Sequence, residues 1–326
     1  MKTIQLLYLS QKDVASVGLT MAEIVDAVEK GFTEMGQGRV EMPPKPGIHP
    51  GEGDNNFIHA MPAYIPAMQS AGVKWVSGYP GNQAKGLPYI SGLLILNDPE
   101  TGVPKAVMDC AWITAMRTGA ASAVSAKYLA RSESSTIGIL ACGVQGHTNL
   151  EAMNVLFPLE KVLAYDPSAE NAARLADFAG KLGLASEIVD DPKKAVTGCD
   201  IVVTSGPIVK VPHATIQAGW MDPGTFVSLV DFDSFFSREA LEEVVKWTTD
   251  HIGQYNYYKD TGGYFQDCPE IYAELGELVA GRKPGRENAE EITMAANLGL
   301  AMDDMAVAPL IYQRAVEKNI GTWLPL

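Results

Sequence analysis

The chain has little cysteine and no cysteine motif. Cys110, Cys142, Cys199 and Cys268 lie far apart and form no CxxC pair, which argues against a zinc knuckle or disulfide framework and fits a reducing compartment. Long hydrophobic runs are also missing, since no stretch of about 18 apolar residues occurs to span a membrane as a helix. The beginning, MKTIQLLYLSQKDV, has too short an apolar part and too early a charge for a secretory signal. Together these lacks read as a cytoplasmic protein with no membrane partner. Basic charge is scarce as well: 25 Lys and Arg against 39 Asp and Glu leave a formal net charge of −14. Such a surface repels nucleic acid at long range, although local backbone amides can still hold an anionic cofactor. His49, His59, His147, His213 and His251 show neither i,i+4 pairing nor HExxH spacing, so no catalytic metal is expected. No GxSxG or Cys–His arrangement points to a covalent nucleophile.

What is present suits about two domains, because the chain has 326 residues and single cores stop growing at roughly 250–300. Residues 4–9 read as a strand. Thr20 and Glu23 form a capping box that opens a helix with Ile24, Val28, Phe32 and Met35 on its apolar face. The Pro-rich stretch 42–56 reads as a loop carrying Lys45 and His49. Strands are predicted at 71–76, 91–96 and 105–108, with the turn signal NDPETG between the last two. From Thr136 strands and helices alternate, the sign of a parallel sheet covered on both faces: strands at 136–140, 161–165, 200–204 and 225–230, helices at 145–156 and 169–183. Residues 299–318 form a last helix. The expected fold is α/β, with a Rossmann-type doubly wound parallel sheet at 119–307. A discontinuous α+β domain would combine 1–118 with 308–326.

The segment TIGILACGVQGHTNLEAM puts Gly143 and Gly146 directly after a strand and at a helix start. In the G-x-G-x-x-G fingerprint, three small positions make a tight turn, admit the pyrophosphate and let the helix pack on the strand. Here they are Ala141, Gly143 and Gly146, and alanine suits the first position if no positive φ is needed there. The helix start offers N–H groups at Val144, Gln145 and Gly146 to phosphate. Asp166 ends the next strand where an acid binding the adenosine ribose is expected. No arginine stands beside it for a 2′-phosphate, so NAD is favoured over NADP. The bland alternative is a Gly-rich loop followed by an Asp that only caps a helix; the order of strand, turn, helix, strand and acid weighs against it. Thr204 and Val230, ending two further strands, and Asn297 complete the expected cofactor set.

Three cations stand outside plain solvated faces: Lys45 after two prolines, Lys74 inside the apolar strand AGVKWVSG, and Arg117 among small residues in WITAMRTGAASAV. A lone strand lysine is ordinarily an edge or snorkelling residue. Three cations in a chain with a nucleotide turn suggest a carboxylate site, with Arg117 suited to bidentate binding of the carboxylate or to the cofactor phosphates. Asp231 and Asp233 leave the carboxyl end of a strand, the edge where α/β sheets bind ligands. Asp233 is the acid–base or amine-binding candidate, against the plainer reading of a helix-capping Asp. His59, in NNFIHAMPAY, is the histidine best placed to enter a site.

Taken together, MPPK at 42–45, GVKWVSGYPGNQAKGLP at 72–88, TAMRTGAASAVSAKYLAR at 114–131, CGVQG at 142–146 and EITMAANLGLAMDDMAVAPLIYQRA at 291–315 resemble the ornithine cyclodeaminase and mu-crystallin family across essentially the whole chain. The resemblance implies a homodimer formed through the substrate domain, a nicotinamide cofactor, and hydride transfer at the α-carbon of an amino acid or its imine. Lys74 resembles the family's proton donor or acceptor, and Lys45 a second substrate lysine of the alanine dehydrogenase branch. Arg117 resembles the substrate-carboxylate arginine, Thr118 follows it beside the cofactor phosphates, and Asp233 resembles the aspartate that handles the amino group. The usual Pro-Gly-Lys after that aspartate is replaced by Phe235-Phe236-Ser237, which removes a cation and makes the pocket wall bulkier, although the sequence leaves open whether these rings line the pocket or the dimer contact. His59 and Tyr89 stand where cyclodeaminases carry glutamate and threonine. These departures favour an NAD(H)-dependent amino-acid dehydrogenase or imine reductase for a short or polar substrate. Cyclodeamination with recycled NAD is the nearest alternative, and nucleotide and small-molecule binding of the mu-crystallin type is another.

Overall fold

The computed structural model describes residues 4–51 and 56–326, so part of the Pro-rich loop, residues 52–55, lies outside the described residues. The chain divides into two compact units, 1–117 with 300–326 and 118–299. The return to the first unit thus comes at Leu300, not at residue 308 as expected from the sequence. The reason is that the helix Ala301–Lys318 is continuous and packs along its length on the first unit's sheet and helix.

In the first unit the strands are β1 (Gln5–Leu9), β2 (Gly47–Ile48), β3 (Phe57–Ile65), β4 (Ser70–Gly78), β5 (Ile90–Asn97) and β6 (Pro104–Asp109), with a C-terminal strand Thr322–Pro325. Their order is C-terminal strand, β1, β6, β5, β4, β3, β2. The Pro-rich loop is not wholly irregular, because Gly47 and Ile48 pair with His59 and Ile58. The helices Met21–Gly36 and Ala301–Lys318 pack against one another, and the latter lies on β3 and β4. The expected capping box is present: Thr20 N–H donates to Glu23 Oε2 at 2.8 Å. Glu23 also binds Arg314 at 2.6 Å, which ties the two helices together. Ile24, Val28 and Phe32 are fully buried in this layer with Leu7, Leu9, Leu94 and Met108.

Strand register aligns Tyr8 with Val107, Val107 with Ile95, and Ile95 with Val73, and pairs Trp75 with Leu93. Trp75 is 51% exposed, Leu93 44% and Tyr8 41%, a solvent-facing apolar row on the side away from Lys74.

The second unit is built on β7 (Thr136–Leu140), β8 (Lys161–Tyr165), β9 (Ala185–Ile188), β10 (Ile201–Thr204), β11 (Phe226–Leu229), β12 (Lys246–Thr249), β13 (Ala273–Glu274) and β14 (Thr293–Ala296). All their pairings are parallel, in the order β13, β12, β14, β11, β10, β7, β8, β9. Strand order reverses beside β7, which makes the crevice between β7 and β10 the switch point where such sheets bind ligands. The helix Ala111–Leu129, absent from the elements expected from sequence, carries the chain from one unit into the other. Among the described residues no helix is long and apolar enough to cross a membrane.

Candidate active site

The first unit gathers the cationic candidates. Lys74 sits in β4, a central strand, opposite Met61 of β3 and Leu94 of β5, and is 1% exposed. It is therefore neither an edge nor a snorkelling lysine. A buried ammonium needs a counterion, and Asp304 supplies it, with Oδ2 2.6 Å from Lys74 Nζ. Thr114 Oγ1 lies 3.3 Å from the same nitrogen. Arg117 is also buried, its Nε 3.4 Å from Asp304 Oδ1 and its Nη1 3.3 Å from Asp303 Oδ2. Asp303 further accepts the Leu300 N–H at 3.0 Å, which anchors it at the start of the helix.

Burial and the Arg117 charge push the Lys74 ammonium below its usual range, while Asp304 opposes them. Burial raises Asp303 to about 6 against the pull of Arg117. His59 is pushed down to about 3, first by burial and then by the charges of Lys45, His49 and Lys74, so its imidazole is neutral at physiological pH. It stacks on Phe57 with ring centroids 4.4 Å apart. The structure thus brings Lys45, His59, Lys74 and Arg117 into one charged neighbourhood. Sequence reasoning missed Asp303 and Asp304; the available signal was two adjacent acids inside an otherwise apolar helical stretch, where a buried charge demands a partner.

The second unit holds the other candidates. At the turn, Ala141 has φ +72°, a left-handed backbone, so the condition under which alanine suits this position is not met. Gly143 caps the helix Val144–Leu156 without a side-chain cap, and a methyl group added there would meet no atom within 4 Å. Gly146 is different, because an added methyl would sit 2.8 Å from the Ala141 carbonyl oxygen. One glycine leaves open space in front of the helix, and the other lets the helix close on its strand. Gln145 turns inward and accepts from Thr148 Oγ1 at 3.3 Å, whereas Val144 is 68% exposed at the helix start. Asp166 follows β8 and braces the turn by accepting the Cys142 N–H at 2.7 Å and the Ser168 N–H at 2.7 Å. Thr118 precedes Gly119, whose own added methyl would fall 2.4 Å from the Thr148 carbonyl oxygen, placing this helix tightly against the one opened by the turn. The open space, the uncapped helix amides and the adjoining acid fit a dinucleotide pyrophosphate and ribose.

Farther along the same edge, Thr204 Oγ1 donates to Asp231 Oδ1 at 2.6 Å, and the Gly206 N–H to Oδ2 at 2.7 Å. Val230 N–H donates to the Thr204 carbonyl at 2.9 Å. Asn297 accepts from Ser125 Oγ at 3.1 Å and donates to Ser228 Oγ at 3.4 Å, so its amide braces the helix against two strands. Phe232 holds φ +62° between the two acids, an uncommon conformation for an aromatic residue, with its ring packed on Tyr258, Tyr264 and Phe265. Asp233 does not cap the next helix, a role taken by Ser237. Asp233 is 3% exposed, its carboxyl accepts from Cys268 Sγ at 3.9 Å, and burial raises it. Phe235 and Phe236, which the sequence leaves between pocket and dimer contact, are buried in this unit's hydrophobic core. Among the described residues no group of His, Cys, Asp or Glu is assembled to hold a metal.

A parallel sheet with a glycine turn opening a helix at its switch point is the architecture of Rossmann dinucleotide-binding proteins. The chain belongs to the ornithine cyclodeaminase/mu-crystallin family, whose model matches residues 6–319. It is 37% identical over 325 residues to an alanine dehydrogenase of Archaeoglobus fulgidus, covering 97% of each protein. The solved structure of Thermococcus litoralis Δ1-pyrroline-2-carboxylate reductase, in complex with NADH and L-proline, matches with a TM-score of 0.86 at 36% identity, covering 97% of this chain and 99% of that one. An archaeal alanine dehydrogenase dimer with bound NAD matches with a TM-score of 0.88 at 35% identity, covering 99% and 100% of the two chains.

Proposed function

We propose that the protein is a cytoplasmic, NAD(H)-dependent oxidoreductase acting at the α-amino or α-imino carbon of a small amino acid. The observation that carries this reading is Lys74: an ammonium shut away from water in a central strand, beside Arg117, in a chain that also holds an NAD-type turn. The relatives support it, one being an alanine dehydrogenase and another a reductase in complex with NADH and L-proline. A bound nicotinamide would supply the hydride acceptor for the α-carbon and, in its reduced form, the hydride donor.

The chain's own residues do the rest. Gly143, Val144, Gln145 and Gly146 hold the pyrophosphate with Thr118, Asp166 takes the ribose hydroxyls, and Thr204, Val230 and Asn297 build the remaining cofactor edge. Arg117 and Lys45 bind the substrate carboxylate, and neutral His59 offers it a hydrogen bond. Lys74 and Asp233 take the protons that the amine releases as the C=N bond forms, and return them in the reductive direction. An amine whose charged form is disfavoured by burial is suited to that exchange. A neutral His59 supplies no carboxylate for a distal ammonium, which favours a dehydrogenase or reductase over a cyclodeaminase.

The homodimer belongs to the same proposal. The exposed row of Trp75, Leu93 and Tyr8 is an apolar sheet face suited to a second copy, and the archaeal relative is described as a dimer.

The deciding assay follows absorbance at 340 nm beside ammonia release, with L-alanine, L-proline and other amino acids and with the corresponding imines. Net NADH change is expected. Ammonia release without net NADH change points instead to cyclodeamination. Full turnover in both Lys74→Ala and Asp233→Asn overturns the assigned proton chemistry.

A further inference from the structure

Asp303 and Asp304 occupy the first turn of the helix Ala301–Lys318, where the helix's positive end favours carboxylates. Both are fully buried, and between them they contact Lys74 and Arg117. Asp304 spans the two, with one oxygen 2.6 Å from Lys74 Nζ and the other 3.4 Å from Arg117 Nε. Lys74 reaches this point on a flexible four-carbon stem that could otherwise place its amine over several ångströms. An ammonium has three N–H donors. Thr114 Oγ1 lies on one of them, and the Asp304 carboxylate holds the ammonium by its charge.

We infer that Asp304 is a positioning residue that holds the Lys74 amine at a set distance from the Arg117 guanidinium, and that Asp303 orients Arg117. Asp304 is assigned no direct contact with substrate and acts through Lys74. This inference rests on the reading of Lys74 as the proton-transferring group. The charged and titratable groups facing Lys74 are Asp303 and Asp304 from the helix Ala301–Lys318, Arg117 from the helix Ala111–Leu129, Cys110 just before that helix, and His59 from β3, which itself feels Lys45. Arg117 and burial disfavour the charged amine, and Asp304 favours it. Removing the Asp304 charge alone therefore makes Lys74 lose its proton at a lower pH.

The test measures kcat and KM against pH for amino-acid oxidation in the wild type, Asp304→Asn, Asp303→Asn and Lys74→Ala, with L-alanine and L-proline as substrates. NADH binding is titrated in parallel by fluorescence. In Asp304→Asn, kcat should fall at least tenfold, the pH at which oxidation switches on should drop by a unit or more, and NADH affinity should stay within twofold. In Asp303→Asn, KM should rise with that pH unmoved. A lowered kcat in Asp304→Asn with an unmoved pH profile marks a merely structural role and overturns the inference. If the Asn variant does not fold, Asp304→Glu decides: it keeps the charge but displaces it, so a tenfold loss in kcat supports positioning and wild-type kcat refutes it. Full turnover in Lys74→Ala, or no turnover on either substrate, sinks the functional reading and this inference with it. An inactive Lys74→Ala beside a wild-type-like Asp304→Asn sinks this inference alone.

Discussion

A methyl group added at Gly146 would stand 2.8 Å from the carbonyl oxygen of Ala141, a residue that itself holds φ +72°. The turn therefore needs glycine-like freedom at 141 and glycine's lack of bulk at 146, and the chain meets only the second need. Ala141→Gly removes the left-handed strain of an L-residue while adding entropy to the unfolded chain, so it should stabilise the protein by about 0.5–1 kcal/mol. Gly146→Ala forces the helix off its strand and should destabilise by about 1–3 kcal/mol. Chemical denaturation of the two variants checks both signs.

At Gly143 the same substitution should separate binding from stability. An added methyl meets no protein atom within 4 Å, and φ there is −77°, so Gly143→Ala should keep its melting temperature. Gly143→Val should fill the space before the helix amides and weaken NADH binding at least tenfold, with unfolding unchanged. Equal NADH affinity for Gly143→Val and wild type, by fluorescence titration, would remove the pyrophosphate from this turn.

Asp231 should make stability depend on pH in a particular direction. Its carboxyl is fully buried, and burial raises it from an ordinary 3.8 to about 7, against the hydrogen bonds from Thr204 and Gly206. Between those values the native state keeps a proton that the unfolded chain has released. The contribution is complete below pH 4 and is lost as the pH rises toward 7. Asp231→Asn carries no such proton, so its stability relative to wild type should improve by roughly 2–4 kcal/mol across that range. Denaturant unfolding of both proteins without cofactor at pH 4.5 and 7 tests this; a constant difference contradicts it.

The apolar row of the first unit's sheet predicts an assembly. Trp75 and Leu93 are directly paired and about half exposed. The double variant Trp75→Glu, Leu93→Lys should sediment as a monomer while wild type sediments as a dimer. It should leave NADH binding intact. A wild-type monomer at micromolar concentration excludes the dimer through this face.

Elements with a strong local signature are legible in the amino-acid sequence. The capping box of Thr20 and Glu23, the alternating strands and helices after Thr136, and the turn around Gly143 all lie where their residues announce them. The helix Ala111–Leu129 is not legible in this way, because every residue from 116 to 126 is buried and no polar face marks a period. The strand β3 is hidden by Pro62. Ala60 and Tyr64 turn their N–H groups outward, so Pro62 lies on that same outer side, opposite no residue of the two-residue β2, and its missing N–H breaks no ladder.

By itself the amino-acid sequence determined the parallel sheet with its glycine turn and singled out Asp166 and the cations at 45, 74 and 117 as candidates, because local periodicity and turn chemistry need no distant partner. Only the tertiary structure decided that Lys74 lies in a central strand rather than at an edge, and that Phe235 and Phe236 are core. It also brought Asp304, 230 residues from Lys74 in the chain, to 2.6 Å from its amine. A buried charge is stable only with its counterion, and which residue supplies it depends on how the C-terminal helix returns to the first sheet.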